Sequence, residues 1–195
     1  MTARVSACEV PEGSLLATYG GPQDYRDCFV REVPGEVSLA QYIERFYSSM
    51  VFAPERIVLG FVGRAKGWDA SADAIRALAR GDADRFGAWE VVERRSGLVA
   101  EHGERPASRK GDRPPAGPEG RGDRSADALR HTKTRREEIL MLSKDTNTAS
   151  WLSTQPSGAN TKLLFGSWVG GIDQSRRKFM LAPHVWYSRA LLGGF

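Results

Sequence analysis

Glu138-Ile-Leu-Met-Leu-Ser-Lys-Asp145, Ala149-Ser-Trp-Leu-Ser-Thr154 and Thr161-Lys-Leu-Leu-Phe-Gly-Ser-Trp-Val169 follow one another with little between them, and together they decide the fold. Each is a short run of large apolar side chains, and small polar residues alternate with aromatic ones, Ser150 beside Trp151 and Ser167 beside Trp168. A side-chain period of two marks a strand. Asp145-Thr-Asn147, Pro156-Ser-Gly158 and Gly170-Gly171 put turn chemistry at the ends of the runs. Connections this short join antiparallel neighbours, so a meander is expected. Phe86-Gly-Ala-Trp-Glu-Val-Val-Glu-Arg-Arg95 keeps the same period and reads as one strand, the partner of 138–145.

Upstream of Phe86 the pattern is mostly helical. Asp24 to Val33 carries Tyr25, Cys28, Phe29 and Val30 and reads as a first strand that Pro34-Gly35 ends. Ser38 with Gln41 forms a capping-box signature, and Leu39, Tyr42, Ile43, Phe46, Tyr47 and Met50 recur at helical spacing. Pro54 suits the first turn of a second helix whose buried side is Ile57, Val58, Phe61 and Val62. A third short helix is signalled by Ser71 as cap, Ala74, Ile75, Leu78 and Ala79 as apolar face, and Gly81 past its end. At the other end, Phe179 to Leu192 reads as a helix whose apolar side packs on the sheet. The class is α+β. Residues 1–22 are weakly patterned and read as a flexible lead-in, and residues 23–195 form a single domain, a size that suits one core.

Residues 101–136 interrupt that domain. Arg, Gly, Pro, Asp, Ser and Glu dominate the stretch, and Leu129 is its one aliphatic side chain larger than Ala. It cannot bury enough apolar area to offset an ordering cost of about 1–2 kcal/mol per backbone residue, so it is expected to be a disordered insertion outside the core. Val91–Arg95 before it and Arg135–Ile139 after it would join as the arms of a hairpin, and a longer tip costs only about 1–2 kcal/mol in loop closure. From Glu101 to Glu137 there are ten Lys/Arg and seven Asp/Glu, so the stretch supplies three of the chain's four net positive charges. The basic balance therefore reports the insertion and not a nucleic-acid face on the domain. Arg121-Gly-Asp123 is what chance produces in such a composition.

Cys8 and Cys28 lie far apart in sequence, without the spacing of a metal knuckle or a redox motif, and read as two free thiols in a reducing compartment. His102, His131 and His184 are scattered, so no metal site is expected, and no Gly-rich phosphate loop calls for a cofactor. The first residues lack the apolar stretch of a signal peptide, and no run approaches a membrane span; the expected location is cytoplasmic. Gly166-Ser-Trp-Val-Gly170 matches the Gly-x-Ser-x-Gly nucleophile elbow in letters, with Asp173 and His184 downstream, but Ser167 sits inside a strand and not at a strand-to-helix turn. Trp89, Trp151, Phe165 and Trp168 lie on several strands, and Trp186 and Tyr187 on the last helix. They pack as core, or they wall an apolar pocket between the sheet and that helix. Ser150, Ser167, Lys144, Asp145, His184, Tyr187 and Arg189 are the polar residues that could orient a ligand there.

Asp24-Tyr-Arg-Asp-Cys-Phe29, Gly87-Ala-Trp-Glu-Val-Val92, Lys144-Asp-Thr146, Leu163-Leu-Phe-Gly-Ser-Trp168 and the ending His184-Val-Trp-Tyr-Ser-Arg-Ala-Leu-Leu192 resemble the bacterial DUF2867-type proteins of unknown function. These in turn are similar to the START/Bet v 1-like (SRPBCC) helix-grip superfamily. The resemblance covers most of the chain outside the insertion and the first twenty residues. It implies a curved antiparallel sheet gripping a C-terminal helix around a cavity, and a non-enzymatic carrier or sensor of a small hydrophobic ligand. The residues expected to line that cavity are Trp89, Trp151, Phe165, Trp168, His184 and Tyr187. An alternative is a cyclase/aromatase-like or hydrolase-like enzyme using the same cavity, with His184, Tyr187 or Asp145 for acid–base work. Another is an interaction protein acting through the basic insertion. A small apolar molecule is the expected partner, and nucleic acid is not.

Overall fold

The computed structural model describes residues 4–49, 66–100, 133–171, 189, 190, 192 and 193. The described elements run β1 (Ser6–Ala7), α1 (Leu15–Thr18), β2 (Tyr25–Pro34), α2 (Leu39–Ser48), α3 (Ala72–Arg80), β3 (Arg85–Phe86), β4 (Trp89–Ala100), β5 (Lys133–Ser143), β6 (Thr148–Ser157) and β7 (Asn160–Val169). They make an α+β fold around one open seven-stranded sheet in the order β1-β2-β7-β6-β5-β4-β3, antiparallel throughout. From β2 the chain crosses through the helices to the far edge. It then meanders back until β7 lies beside β2.

Turn chemistry sets the register of that meander. Ser157 pairs with Asn160, leaving Gly158-Ala159 as a two-residue turn, and Gly158 takes φ +61° at its first central position, the type II′ pattern. Ser143 pairs with Thr148 around a four-residue loop in which Asn147 takes φ +52°. The helices are capped as the sequence predicts. Ser38 and Gln41 form a reciprocal capping box, Ser71 accepts from the Ala74 N–H, and Gly81 closes α3 at φ +82°. The helix expected from Pro54 lies outside the described residues, as does most of Phe179–Leu192.

Three expectations are corrected. Phe86 to Arg95 is not one strand: Gly87, at φ +56° and donating to the Asp69 carbonyl, turns β3 back on β4, so Phe86 pairs with Trp89. A bulge at Val92 then shifts the β4 register, with Val91 opposite Met141 and Glu93 opposite Leu140. The arms of the expected hairpin do meet, Arg94 opposite Ile139 and Arg95 opposite Glu138, but β5 begins at Lys133. The last four residues read as insertion are therefore strand, and Arg136 is buried; residues 101–132 lie outside the described residues. The lead-in over 1–22 is not loose from Val5 onward: it carries β1 and α1, and Leu15 and Leu16 are buried.

The sheet is covered on both faces. On one, Phe29, Ile139, Met141, Leu152, Leu163 and Phe165 meet the apolar sides of α2 and α3, with Phe86 and Leu192 beside them. On the other, Cys28, Leu140, Ala149, Trp151, Leu164 and Trp168 meet Leu15 and Leu16. The first is called here the helical face and the second the N-terminal face. No described helix is long and apolar enough to cross a membrane.

Candidate functional site

The aromatic residues expected to line one cavity are divided between the two faces. Phe165 and Trp89 belong to the helical face, where Phe165 lies 5.0 Å from Phe46, centroid to centroid. Trp151 and Trp168 belong to the N-terminal face. The reason is the pleat: Trp151 pairs with Gly166 and Leu152 with Phe165, so Trp151 and Phe165 point to opposite sides. His184 and Tyr187 lie outside the described residues. On the helical face Tyr42, Ile43, Phe46, Ile139, Met141 and Leu152 are all at 2% exposure or less, and they fill the space between α2 and the sheet.

The Gly-x-Ser-x-Gly letters have a packing explanation. A Cβ on Gly166 would stand 2.4 Å from Leu16 Cδ2 and 2.8 Å from the Asp27 carbonyl oxygen, and one on Gly170 would stand 2.3 Å from the Trp168 ring. Both glycines make room for large side chains of the N-terminal face. Ser167 is buried, its backbone N–H donates to Asp27 Oδ1 at 3.0 Å, and no nucleophile–base pair forms around its hydroxyl among the described residues. Asp145, the described acid–base candidate, is half-exposed and paired with Lys66 at 2.6 Å. No described cluster of His, Cys, Asp or Glu could hold a metal ion.

Buried charge gathers instead where the N-terminal segment meets β5. Glu138, 1% exposed, accepts from the Leu15 N–H at 3.1 Å, Trp151 Nε1 at 2.8 Å and Arg95 Nε at 3.0 Å, with Arg95 Nη2 at 2.8 Å. Arg95 also donates to the Gly13 carbonyl, and Arg136 to that of Glu12. With the Gln155 amide oxygen turned toward it, Arg136 makes two more bonds at 2.7 and 3.0 Å. A carboxylate this buried is stable only because each oxygen is met by donors. These contacts clamp residues 12–15 to the sheet and leave no open position, which makes the cluster structural.

Open space lies at the end of the sheet. A half-open hollow of about 430 Å3 is bounded by the β2–α2 connection (Gly35, Glu36, Val37, Ser38), the start of β5 (Arg135, Glu137) and the β6–β7 hairpin (Thr154, Pro156, Gly158 to Thr161). Each wall is held in place. Thr161 Oγ1 accepts from the Val37 N–H at 3.0 Å and donates to the Gly35 carbonyl at 2.7 Å. The Gly35 N–H donates to the Ala159 carbonyl, and Asn160 Nδ2 donates to Glu32 Oε1 at 3.0 Å, a bond that holds the Glu32 carboxyl below its ordinary range. Glu137 accepts from the first N–H of α2, that of Leu39, with Oε2 and from Arg135 Nη2 with Oε1 at 3.0 Å. The helix terminus thus carries its own anion. The hollow therefore offers Val37, Pro156 and Ala159 as apolar surface and an Arg135–Glu137 pair at its edge.

Sequence reasoning missed this place. Its walls come from segments distant in sequence, 35–38 on one side and residues between 135 and 161 on the other, and neither periodicity nor spacing signals such a meeting. Compared with family models, characterised proteins and solved structures, the chain matches none.

Proposed function

We propose that this protein binds a small amphipathic molecule in the hollow at the end of its sheet, as a carrier or sensor and not as an enzyme. The observation that carries the reading is the volume. About 430 Å3 falls within the roughly 300–1,000 Å3 of small-molecule sites, and the walls combine apolar surface with a few fixed polar groups. The apolar part of the ligand lies on Val37, Pro156 and Ala159, and its polar end meets Arg135, Glu137 or Asn160. The helix-grip architecture belongs to the same proposal. Its supports are the return of β7 to the side of β2 and the burial of Leu192 on the helical face, where Arg31 Nη1 donates to the Leu192 and Gly193 carbonyls at 3.1 and 2.8 Å. Ligand placement differs from the interior cavity that the resemblance implies, because the aromatic groups there pack against each other.

Native mass spectrometry of freshly purified protein, followed by an NMR screen of small amphipathic compounds, tests the site. A bound mass or shifts confined to residues 35–38, 135–137 and 154–161 are expected, with both lost in Ala159→Trp, which fills the hollow from an exposed turn position. A wild-type protein that shows only its own mass and no shifts, or a ligand retained unchanged by Ala159→Trp, overturns the reading.

A further inference from the structure

The two cysteines, separated by twenty positions in sequence, meet on the N-terminal face. The pairing of Ser6 with Val30 and Ala7 with Phe29 continues as Cys8 opposite Cys28, whose carbonyl accepts from the Cys8 N–H at 2.9 Å. The sulfurs are 3.1 Å apart and both thiols are free. Directly opposed residues of an antiparallel pair have Cα atoms about 4.5–5.5 Å apart, inside the range of about 4.4–6.8 Å that a disulfide spans. Closing the bond from here needs side-chain rotation and about 1 Å of approach, not a change of fold.

We infer that Cys8 and Cys28 are an oxidisable dithiol, a covalent modification site that a peroxide or a small-molecule disulfide converts into an intramolecular cross-link. The two thiols have different tasks. Cys8 is partly exposed and Cys28 is buried, so Cys8 meets the oxidant and Cys28 resolves it. The charges agree: the hydrogen bond between the two sulfurs holds the Cys8 thiol below its ordinary range, while that bond and burial raise Cys28. With hydrogen peroxide, the Cys8 thiolate attacks one oxygen, the O–O bond breaks, and a sulfenic acid and hydroxide result. The Cys28 sulfur then attacks the Cys8 sulfur, the S–O bond breaks, and water leaves with the Cys28 proton. Two thiols and one peroxide give one disulfide and two waters, a two-electron oxidation. With a small disulfide, Cys8 forms a mixed disulfide and Cys28 displaces the second thiol.

The product would matter to the fold. β1 is two residues long and covers the edge of the ten-residue β2, so a cross-link there fixes a short strand that is otherwise held by few bonds.

The 195-residue chain contains no other cysteine, which makes the test direct. Treated with one equivalent of hydrogen peroxide or with a small aromatic disulfide, the wild type should lose the mass of two hydrogens and block both cysteines to N-ethylmaleimide. Dithiothreitol should reverse the change. Cys28→Ser should stop at a dimedone-reactive sulfenic acid or a stable mixed disulfide on Cys8, and Cys8→Ser should react far more slowly than wild type. Amide exchange of residues 5–10 should slow on oxidation, with a higher Tm. A wild type that only over-oxidises, only forms intermolecular dimers or stays reduced overturns the inference, as does equal reactivity of the two single variants.

Discussion

The two faces of the sheet bury comparable side chains but hold them by different means. On the helical face α2 and α3 bring amphipathic stripes to an aliphatic and aromatic surface, and polar contacts such as Tyr42 Oη donating to the Leu164 carbonyl at 3.1 Å supplement that packing. The N-terminal face is covered by a four-residue helix and loops, and depends on directed bonds. Glu138 anchors the start of α1, while Arg26 donates to the carbonyls of Leu16, Tyr19 and Gly21 at its end. A helix can bring a continuous apolar stripe to a sheet, whereas a loop brings unpaired backbone groups that need partners. Among the described residues, the cover made of loops is therefore the one that carries a buried carboxylate, Glu138.

The comparison breaks most visibly in the centre of the helical face. Phe46→Ala removes a ring in contact with Tyr42, Tyr47 and Phe165 and should cost about 3–5 kcal/mol of global stability. Urea unfolding would show it as a lower midpoint with an unchanged slope. On the other face, Glu138→Ala leaves the Leu15 N–H and the Trp151 indole without their acceptor. Because Arg95 is 42% exposed and can turn to water, the expected cost is smaller, about 2–3 kcal/mol. Its signature differs too: amide exchange should quicken over residues 5–19 before the sheet opens. Equal protection of that segment in both variants would show that the faces do not unfold separately. Gly166→Ala probes the N-terminal face from the sheet side. Its Cβ meets the Asp27 backbone oxygen as well as Leu16, so about 1–3 kcal/mol should be lost, although alanine favours a strand over glycine.

The same contrast explains what could be read from the sequence. Capping at Ser38 and Ser71, the stripe from Leu39 to Tyr47 and the alternation in β6 and β7 are local signals, and each predicts its element, although β6 continues through Pro156 to Ser157 where a turn is expected. Residues 5–20 carry no such period, since Leu15 and Leu16 are adjacent and their support comes from Glu138, 123 positions away from Leu15. The meeting of Cys8 with Cys28 depends on β1 pairing with β2, and two residues of strand leave almost no pattern. Trp151 and Phe165 could have been assigned to opposite faces once the turn at Gly158 was placed, because their parity then follows. The hollow has no local trace at all.

The smallest expected effect concerns the outer end of the N-terminal face. Trp168 is cradled where a Cβ on Gly20 would stand 2.2 Å from its Nε1, and that nitrogen donates to Asp24 Oδ2 at 3.0 Å. The same oxygen accepts from the Gly21 N–H at 2.6 Å. The Gly21 bond foremost holds the Asp24 carboxyl below its ordinary range; desolvation opposes it, and the Trp168 bond and the Arg26 charge add to the lowering. A carboxylate whose folded value is depressed stabilises fully above its unfolded value, about 3.9 for Asp, and that contribution disappears as the pH falls through the lower folded value. The Trp168 indole N–H resonance should accordingly hold its position through pH 5 and move only below about 3.9. In Asp24→Asn that step should vanish, since the amide oxygen still accepts but does not titrate. A step at or above the ordinary aspartate value would mean that the carboxylate is not held by these donors, and the anchoring of Trp168 would then rest on packing alone.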